Sequence, residues 1–117
     1  MKTLRTIETE KKYAGFLKVG DSVRTCALCA KKSKKEFTSW RIVKNNFPYD
    51  LIAQDHDMLI PRRHVTEDTL TSEEKNELLI IKRDILVADY DWLIEPTSKH
   101  KSIPDHFHLH LIVGKES

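Results

Sequence analysis

Three histidines alternate with apolar residues in the stretch Asp105-His106-Phe107-His108-Leu109-His110-Leu111-Ile112-Val113. Successive side chains of a β-strand point to opposite faces of the sheet. The alternation therefore predicts a strand with one imidazole face, formed by His106, His108 and His110, and one apolar face. A histidine tag or a pH-sensitive surface strand is the alternative, but a tag would not alternate. Histidine binds metals and serves as a base or a nucleophile near neutral pH, so this strand is a candidate functional site.

The remaining patterns predict an α+β domain built on an antiparallel sheet of about five strands. Further strands are predicted at residues 40–44, 51–53, 58–60 and 92–94. One long helix is predicted over residues 72–88, capped by Thr71 or Ser72, and a short helix is predicted within residues 1–20. The lysine-rich block at residues 31–35 is expected to be a solvated loop.

Composition limits the classes of partner and the cellular location. A chain of 117 residues suits one domain, and its net charge of +2 is too close to neutral to indicate bulk binding of nucleic acid. The longest apolar run, residues 78–81, is too short to span a membrane, and the first residues lack the apolar core of a signal peptide. We therefore expect a cytoplasmic protein without a membrane partner.

The two cysteines, Cys26 and Cys29, are separated by two residues. In a reducing compartment such a pair is typical of metal ligands or a redox couple rather than a structural disulfide. A Cys-x-x-Cys pair is half of a tetrahedral zinc site, and spacing alone does not choose the other ligands among the histidines and carboxylates. Another possibility is that the three alternating histidines themselves hold a catalytic metal.

Residues 106–112 match the histidine-triad signature His-φ-His-φ-His-φ-φ, in which φ is an apolar residue. Residues 56–64 resemble the His-φ-φ-φ-φ-Pro-Lys/Arg-x-His segment of the same family, with Asp57 where an apolar or small residue is usual. Residues 45–49 are similar to the preceding loop in the branch that includes galactose-1-phosphate uridylyltransferase and dinucleoside tetraphosphate phosphorylases. The cysteine pair falls where zinc-containing members have theirs. The resemblance to the histidine triad (HIT) family spans residues 25–113 of a single domain over 1–117, which makes residues 1–24 an N-terminal extension.

This resemblance implies a sheet-and-helix fold, usually a homodimer, that acts on a nucleotide or nucleotide conjugate. It also implies a structural Zn²⁺ ion. Two sulfur and two nitrogen donors make a closed tetrahedral site with no open position for chemistry. Carried over by position, the zinc ligands are Cys26, Cys29, His64 and His106.

The same resemblance implies hydrolysis at the α-phosphate of a phosphoester, phosphoramidate or dinucleoside polyphosphate. His108 is the implied nucleophile, forming a covalent nucleotidyl-histidine, while His110 and His56 contact phosphate oxygens or protonate the leaving group. The residues expected to contact the nucleoside or the phosphate are Asn46, Phe47 and Ser102. His100 matches no part of the signature and is expected on a loop surface.

Two features of the sequence bear on whether the chain hydrolyses, transfers or only binds a nucleotide. The third histidine stands where the transferring branch usually has glutamine, which favours hydrolysis over nucleotidyl transfer. Residues 95–105 lack the glycine and glutamine that many relatives carry before the triad, and a glycine-poor loop brings fewer backbone N–H groups to a phosphate. The alternatives are a nucleotidyltransferase and a catalytically weak nucleotide-binding or sensing module.

Overall fold

An antiparallel sheet with α2 packed on one face forms the fold, as the sequence predicts. The structure is a computed structural model that describes residues 3–20, 26–97 and 106–116. Within these residues the helices are α1 (Ile7–Gly20) and α2 (Ser72–Ile80). The strands are β1 (Ser33–Glu36), β2 (Trp40–Lys44), β3 (Ala53–Pro61), β4 (Trp92–Ile94) and β5 (Leu109–Gly114). Their order across the sheet is β1-β2-β3-β5-β4, and every neighbouring pair is antiparallel.

Strands β2 and β4 have the predicted bounds and residues 58–60 are strand as predicted, whereas the separate strand at residues 51–53 and the loop at residues 31–35 are wrong. Residues 51–53 and 58–60 do not form two short strands, because β3 runs unbroken from Ala53 and residues 51–52 lie in the turn before it. The polar interruption at Asp57 is compatible with a buried strand because Lys34 Nζ and Tyr90 Oη lie 2.8 and 2.6 Å from its carboxylate. The predicted loop at residues 31–35 instead enters the edge strand β1, whose lysines keep that edge solvated.

The predicted long helix begins where expected but changes its pitch. Thr71 Oγ1 accepts from the Glu74 backbone N–H at 3.1 Å, and the Glu74 carboxylate accepts from the Thr71 N–H at 2.8 Å, so the two form a capping box. Hydrogen bonding to Arg63 lowers the pKa of Glu74 to about 2. After α2 the chain continues through a π-helical turn, Ile81–Ile85, and a 3-10 turn, Leu86–Ala88, which place Ile81 and Leu86 in the core.

The core lies between α2 and one face of the sheet. Phe107, Leu109 and Leu111 all point into it, as the alternation predicts. Strand β5 begins only at Leu109, so the predicted strand start near residue 106 is wrong by three residues. The alternation extends upstream nonetheless, because the Phe107 N–H donates to the Val65 carbonyl at 2.8 Å and holds this segment extended beside its neighbour. The histidines consequently face the other side of the sheet.

Neither helix in the described part of the chain has the length and apolar character needed to cross a bilayer.

Candidate functional site

Three imidazoles meet on the sheet face opposite α2. His56 lies on β3 and His110 on the adjacent β5, and their ring centroids are 4.9 Å apart. The ring of His108, just before β5, lies 5.1 Å from that of His110. Each residue is less than 7% exposed, so the rings form a nearly buried cluster. The structure therefore brings together the three histidines that the sequence assigns to catalysis.

Hydrogen bonds link His56 and His110 to both ends of Tyr49. The Tyr49 backbone N–H donates to His56 Nδ1 at 3.0 Å. His56 Nε2 lies 2.8 Å from His110 Nδ1, and His110 Nε2 lies 3.1 Å from Tyr49 Oη. The three residues thus form a closed ring of three hydrogen bonds, which we call the Tyr49 ring.

Burial keeps the two histidines of this ring neutral. It lowers the pKa of His56 to about 4 and the pKa of His110 to about 2, and the positive charge of Arg5 adds to both shifts. A neutral imidazole has one N–H and one lone pair. Because His56 Nδ1 accepts from a backbone N–H, the proton of His56 is on Nε2, and it can only be donated to Nδ1 of His110. His110 is then protonated at Nε2 and donates to Tyr49 Oη.

Asn45 lies beside this ring and is oriented by the backbone. Its Oδ1 accepts from the Phe47 N–H at 2.8 Å, so its Nδ2 is the atom 3.3 Å from His56 Nε2. Both nitrogens carry hydrogens in the assigned tautomer, and this longer approach is therefore a contact rather than a hydrogen bond.

His108 has the opposite tautomer. Its Nδ1 lies 2.9 Å from the backbone carbonyl of His106, which can only accept, so Nδ1 of His108 carries a proton and donates it. In the neutral ring the lone pair is then on Nε2. A histidine that attacks through one ring nitrogen needs its other nitrogen held by an acceptor, and His108 has this arrangement.

A second group of side chains lies close by, and it consists of the four predicted metal ligands. One ligand atom from each lies within 4.8 Å of all the others. The Nδ1 atom of His106 is 3.4 Å from both sulfurs, and Cys29 Sγ is 3.3 Å from Nδ1 of His64. Metal–sulfur and metal–nitrogen bonds of about 2.3 and 2.05 Å in a tetrahedron place these atoms about 3.6 Å apart. The three measured distances are therefore close to those of a tetrahedral site, and the cluster could hold a metal ion. Its members are Cys26, Cys29, His64 and His106.

The surroundings of this cluster prepare its donors for a cation. His106 Nε2 lies 3.0 Å from the Pro61 carbonyl and donates to it, which leaves Nδ1 with the lone pair directed at the sulfurs. Burial raises the pKa of the Cys29 thiol, and so does the neighbouring Cys26, so metal binding would displace a proton there. The turn between the cysteines is fastened by buried Leu28 and by Arg41, whose guanidinium donates to the Leu28 carbonyl at 2.7 Å.

The residues predicted to contact the nucleoside lie in the loop between β2 and β3. Asn46 is exposed, whereas Phe47 is half-buried in an aromatic group with two residues of α1. The centroid of its ring lies 5.3 Å from that of Tyr13 and 5.0 Å from that of Phe16. Ser102, the third predicted contact, lies outside the described residues.

Sequence reasoning missed Tyr49 and Arg5. Tyr49 directly follows Phe47-Pro48 in the loop already assigned to nucleoside binding, but the pattern did not show that its hydroxyl reaches His110. Arg5 lies in the N-terminal extension, for which the resemblance supplies no motif. Its carbon Cζ lies 4.8 Å from the Tyr49 ring centroid, and its Nε donates to the Phe47 carbonyl at 2.7 Å.

Comparison with solved structures identifies the fold. The crystal structure of a HIT family hydrolase from Legionella pneumophila Philadelphia 1 superimposes with a TM-score of 0.57 at 19% sequence identity, and the match covers 79% of this chain and 95% of that chain. No protein-family model and no curated protein matches the sequence. The likeness confirms the predicted HIT-like α+β fold.

The buried neutral histidines predict a pH-dependent stability. Below the ordinary histidine pKa of about 6.5, His110 binds a proton in the unfolded chain but stays neutral in the folded protein. The free energy of unfolding therefore falls as the pH drops towards 4. Replacing His110 with Asn removes one such group and should reduce the slope by about 1.4 kcal/mol per pH unit. Urea unfolding between pH 4 and 7 measures this difference. Equal slopes in the two proteins would show that His110 is protonated in the folded state.

Proposed function

We propose that this chain is a nucleotide phosphohydrolase that acts at the α-phosphate through His108. The observation that carries the proposal is the held tautomer of His108, with Nδ1 bonded to the His106 carbonyl and the Nε2 lone pair beside two further neutral histidines. The HIT-like fold supports it, since the solved structure of similar fold is described as a hydrolase. The substrate class is a nucleotide phosphoester, phosphoramidate or dinucleoside polyphosphate.

The proposed reaction has two balanced steps. Nε2 of His108 attacks phosphorus, a nitrogen–phosphorus bond forms, and the bond from phosphorus to the leaving group breaks. The leaving group takes a proton from solvent as it departs, and the attacking water of the second step returns one, while the neutral pair His56 and His110 keeps its protons and supports the hydrogen bonds around the phosphate. Water then cleaves the nitrogen–phosphorus bond, which releases a nucleoside monophosphate and restores His108. Asn46, Phe47 and Ser102 are the proposed contacts to the nucleoside and phosphate.

Replacing His108 with Ala tests the nucleophile. Turnover of an adenosine phosphoramidate should fall on the order of a thousandfold or more, because no other group can form the intermediate. In the wild-type protein, rapid quench in alkaline denaturant followed by mass spectrometry should detect a nucleotidyl adduct on His108, because acid would cleave the nitrogen–phosphorus bond. A His100→Ala variant is the control, since the signature gives that histidine no role, and it should retain full turnover.

Three outcomes would contradict parts of this proposal. If the His108→Ala protein turns over a panel of nucleotide conjugates as fast as the wild type, His108 is not the nucleophile. If the wild type binds nucleotides without turning over any of the panel, the chain is a binding or sensing module instead. Accumulation of a new nucleotide conjugate when a phosphate acceptor is added would identify a nucleotidyltransferase.

We further propose that Cys26, Cys29, His64 and His106 hold a structural Zn²⁺ ion. Two thiolates and two imidazoles complete a tetrahedron, so such an ion would contribute stability rather than activate water. Its ligands join the cysteine turn to the residues after β3 and before β5, segments far apart in sequence. A reducing cytoplasm is the proposed location, because it keeps both free cysteines available as ligands.

Replacing Cys26 with Ser tests this metal site. The purified wild type should contain about one zinc ion per chain by elemental analysis, whereas the variant should lose most of it. Its melting temperature should fall by about 10 °C, since a structural ion stabilises the folded state only. A Ser33→Ala variant, altered on the adjacent strand β1, controls for local damage. Retained zinc with lost activity would instead support a catalytic metal on the alternating histidines.

We also propose that two copies of the chain associate through the face that carries α2 and β4. Strand β4 is the last strand of the described sheet, and a free sheet edge is a template for pairing. Large apolar side chains stand exposed on α2, on β4 and between them, and such groups favour association. They are Leu79, Ile80, Val87, Trp92 and Leu93.

Replacing Trp92 with Glu tests this association. Trp92 is 63% exposed, so the variant should keep its fold while a charge at the interface opposes pairing. Sedimentation equilibrium should give twice the chain mass of 13.7 kDa for the wild type and a single chain mass for the variant. Leu51→Glu, at a residue 54% exposed in the β2–β3 loop, is the matched control and should remain dimeric. A monomeric wild type would contradict the proposal.

A further inference from the structure

Tyr49 has a hydroxyl group that no motif in the sequence assigns to the site. We propose that this hydroxyl, rather than the imidazole of His110, donates the hydrogen bond from the Tyr49 ring to a phosphate oxygen of the substrate. The proposal rests on the proposed function, because it takes a nucleotide as the ligand. It adds Tyr49 to the substrate-binding residues and changes the role of His110.

The direction of the hydrogen bonds in the Tyr49 ring leads to this assignment. It starts at a group that can only donate, the Tyr49 backbone N–H, which bonds Nδ1 of His56 at 3.0 Å. Every later proton is then determined, from His56 Nε2 to His110 Nδ1 and from His110 Nε2 to Tyr49 Oη. Since Tyr49 Oη accepts from His110, its own hydrogen is directed away from the ring. Among the N–H and O–H groups that form the Tyr49 ring, the Tyr49 hydroxyl is the one whose hydrogen is not used in a bond within the ring.

His110 is poorly suited to bind phosphate directly. Its Nδ1 accepts from His56 and its Nε2 donates to Tyr49, so both nitrogens are already engaged inside the protein. A direct bond to phosphate would require the His110 ring to break its hydrogen bond with Tyr49 Oη, although His110 itself is only 4% exposed. The hydroxyl of Tyr49 can accept from His110 and donate to a phosphate at the same time. The two bonds reinforce each other, because polarisation along a chain of hydrogen bonds strengthens its last donor.

The N-terminal segment holds Tyr49 in position and adds positive charge. The Arg5 guanidinium lies between two aromatic rings, with Cζ 4.8 Å from the Tyr49 centroid and 4.3 Å from the Tyr13 centroid. The Thr6 N–H donates to Asp50 Oδ1 at 2.7 Å, which fastens this segment to the residue after Tyr49. Burial raises the pKa of the Tyr49 hydroxyl and the positive charge of Arg5 opposes that rise, so the hydroxyl keeps its hydrogen and can donate it to an anion.

Replacing Tyr49 with Phe tests the proposal, since it removes the hydroxyl and keeps the ring. Binding of AMP, the product expected from an adenosine substrate, is measured by calorimetry on the zinc-loaded full chain. A hydrogen bond to a charged oxygen corresponds to a loss of about 10- to 100-fold in affinity. Tyr90→Phe is the matched control, because its hydroxyl bonds Asp57 on the other face of the sheet. The control should bind AMP as tightly as the wild type.

A double-mutant cycle separates the roles of Tyr49 and His110. If His110 acts through Tyr49, then His110→Asn should weaken AMP binding in the wild type but not further in the Tyr49→Phe protein. Losses that multiply would mean that His110 contacts the phosphate independently, and they would overturn the proposal. Unchanged AMP affinity in Tyr49→Phe would also overturn it.

A second substitution keeps the proposal testable if removal of the hydroxyl harms folding. Replacing Tyr49 with 3-fluorotyrosine retains the hydroxyl and makes it more acidic, so AMP affinity should stay equal or rise by a few-fold. If the 3-fluorotyrosine protein lost as much AMP affinity as the Tyr49→Phe protein, the proposal would be contradicted. If the wild type hydrolyses nothing while AMP binding depends on Tyr49, the proposed activity fails and the proposed contact stands. If hydrolysis depends on His108 but neither AMP binding nor turnover changes in the Tyr49→Phe protein, the proposed Tyr49 contact is wrong and the proposed activity stands.

Discussion

The candidate site depends on the pleat of the residues that lead into and form β5. Phe107, Leu109 and Leu111 are buried under α2, and this burial fixes the direction of every second side chain. Shifting the register by one residue would place imidazoles in the apolar core and apolar groups in the site. The free energy that anchors the core therefore also orients the histidines, and site geometry and fold stability have a common origin in this segment.

Two backbone groups determine how the buried histidines are protonated. The Tyr49 N–H can only donate, and it makes Nδ1 of His56 an acceptor. The His106 carbonyl can only accept, and it makes Nδ1 of His108 a donor. Neighbouring imidazoles consequently have opposite tautomers, and in each case a backbone group sets the tautomer. Because burial keeps His56 and His110 neutral, the proton positions assigned to these two residues persist at physiological pH.

The sequence predicted those parts of the molecule that follow from short-range periodicity or a dense motif. The alternation around His108 predicted the two faces of β5, and the cap expected at Thr71 or Ser72 is a capping box at Thr71 in the structure. Two predictions were wrong where tertiary pairing overrode local polarity. Asp57 interrupts an apolar run, yet Lys34 and Tyr90 neutralise and bond its carboxylate, so β3 continues through it. The roles of Tyr49 and Arg5 depend on contacts between segments that are distant in sequence. Arg5 and Phe47, for example, are 42 residues apart. Periodicity gives no information on such contacts.

His106 connects the two halves of the site. Its side chain has Nδ1 at 3.4 Å from both cysteine sulfurs and Nε2 bonded to the Pro61 carbonyl, while its backbone carbonyl holds Nδ1 of His108. An ion at the cysteine cluster would restrain the ring of His106 and, through the same residue, the carbonyl that sets the tautomer of His108. The metal would then influence catalysis without contacting the substrate, by limiting how far the His106 backbone can turn. In this arrangement an ion that performs no chemistry would still be coupled to the proposed nucleophile, because His106 would provide a ligand on its side chain and provides an acceptor on its backbone.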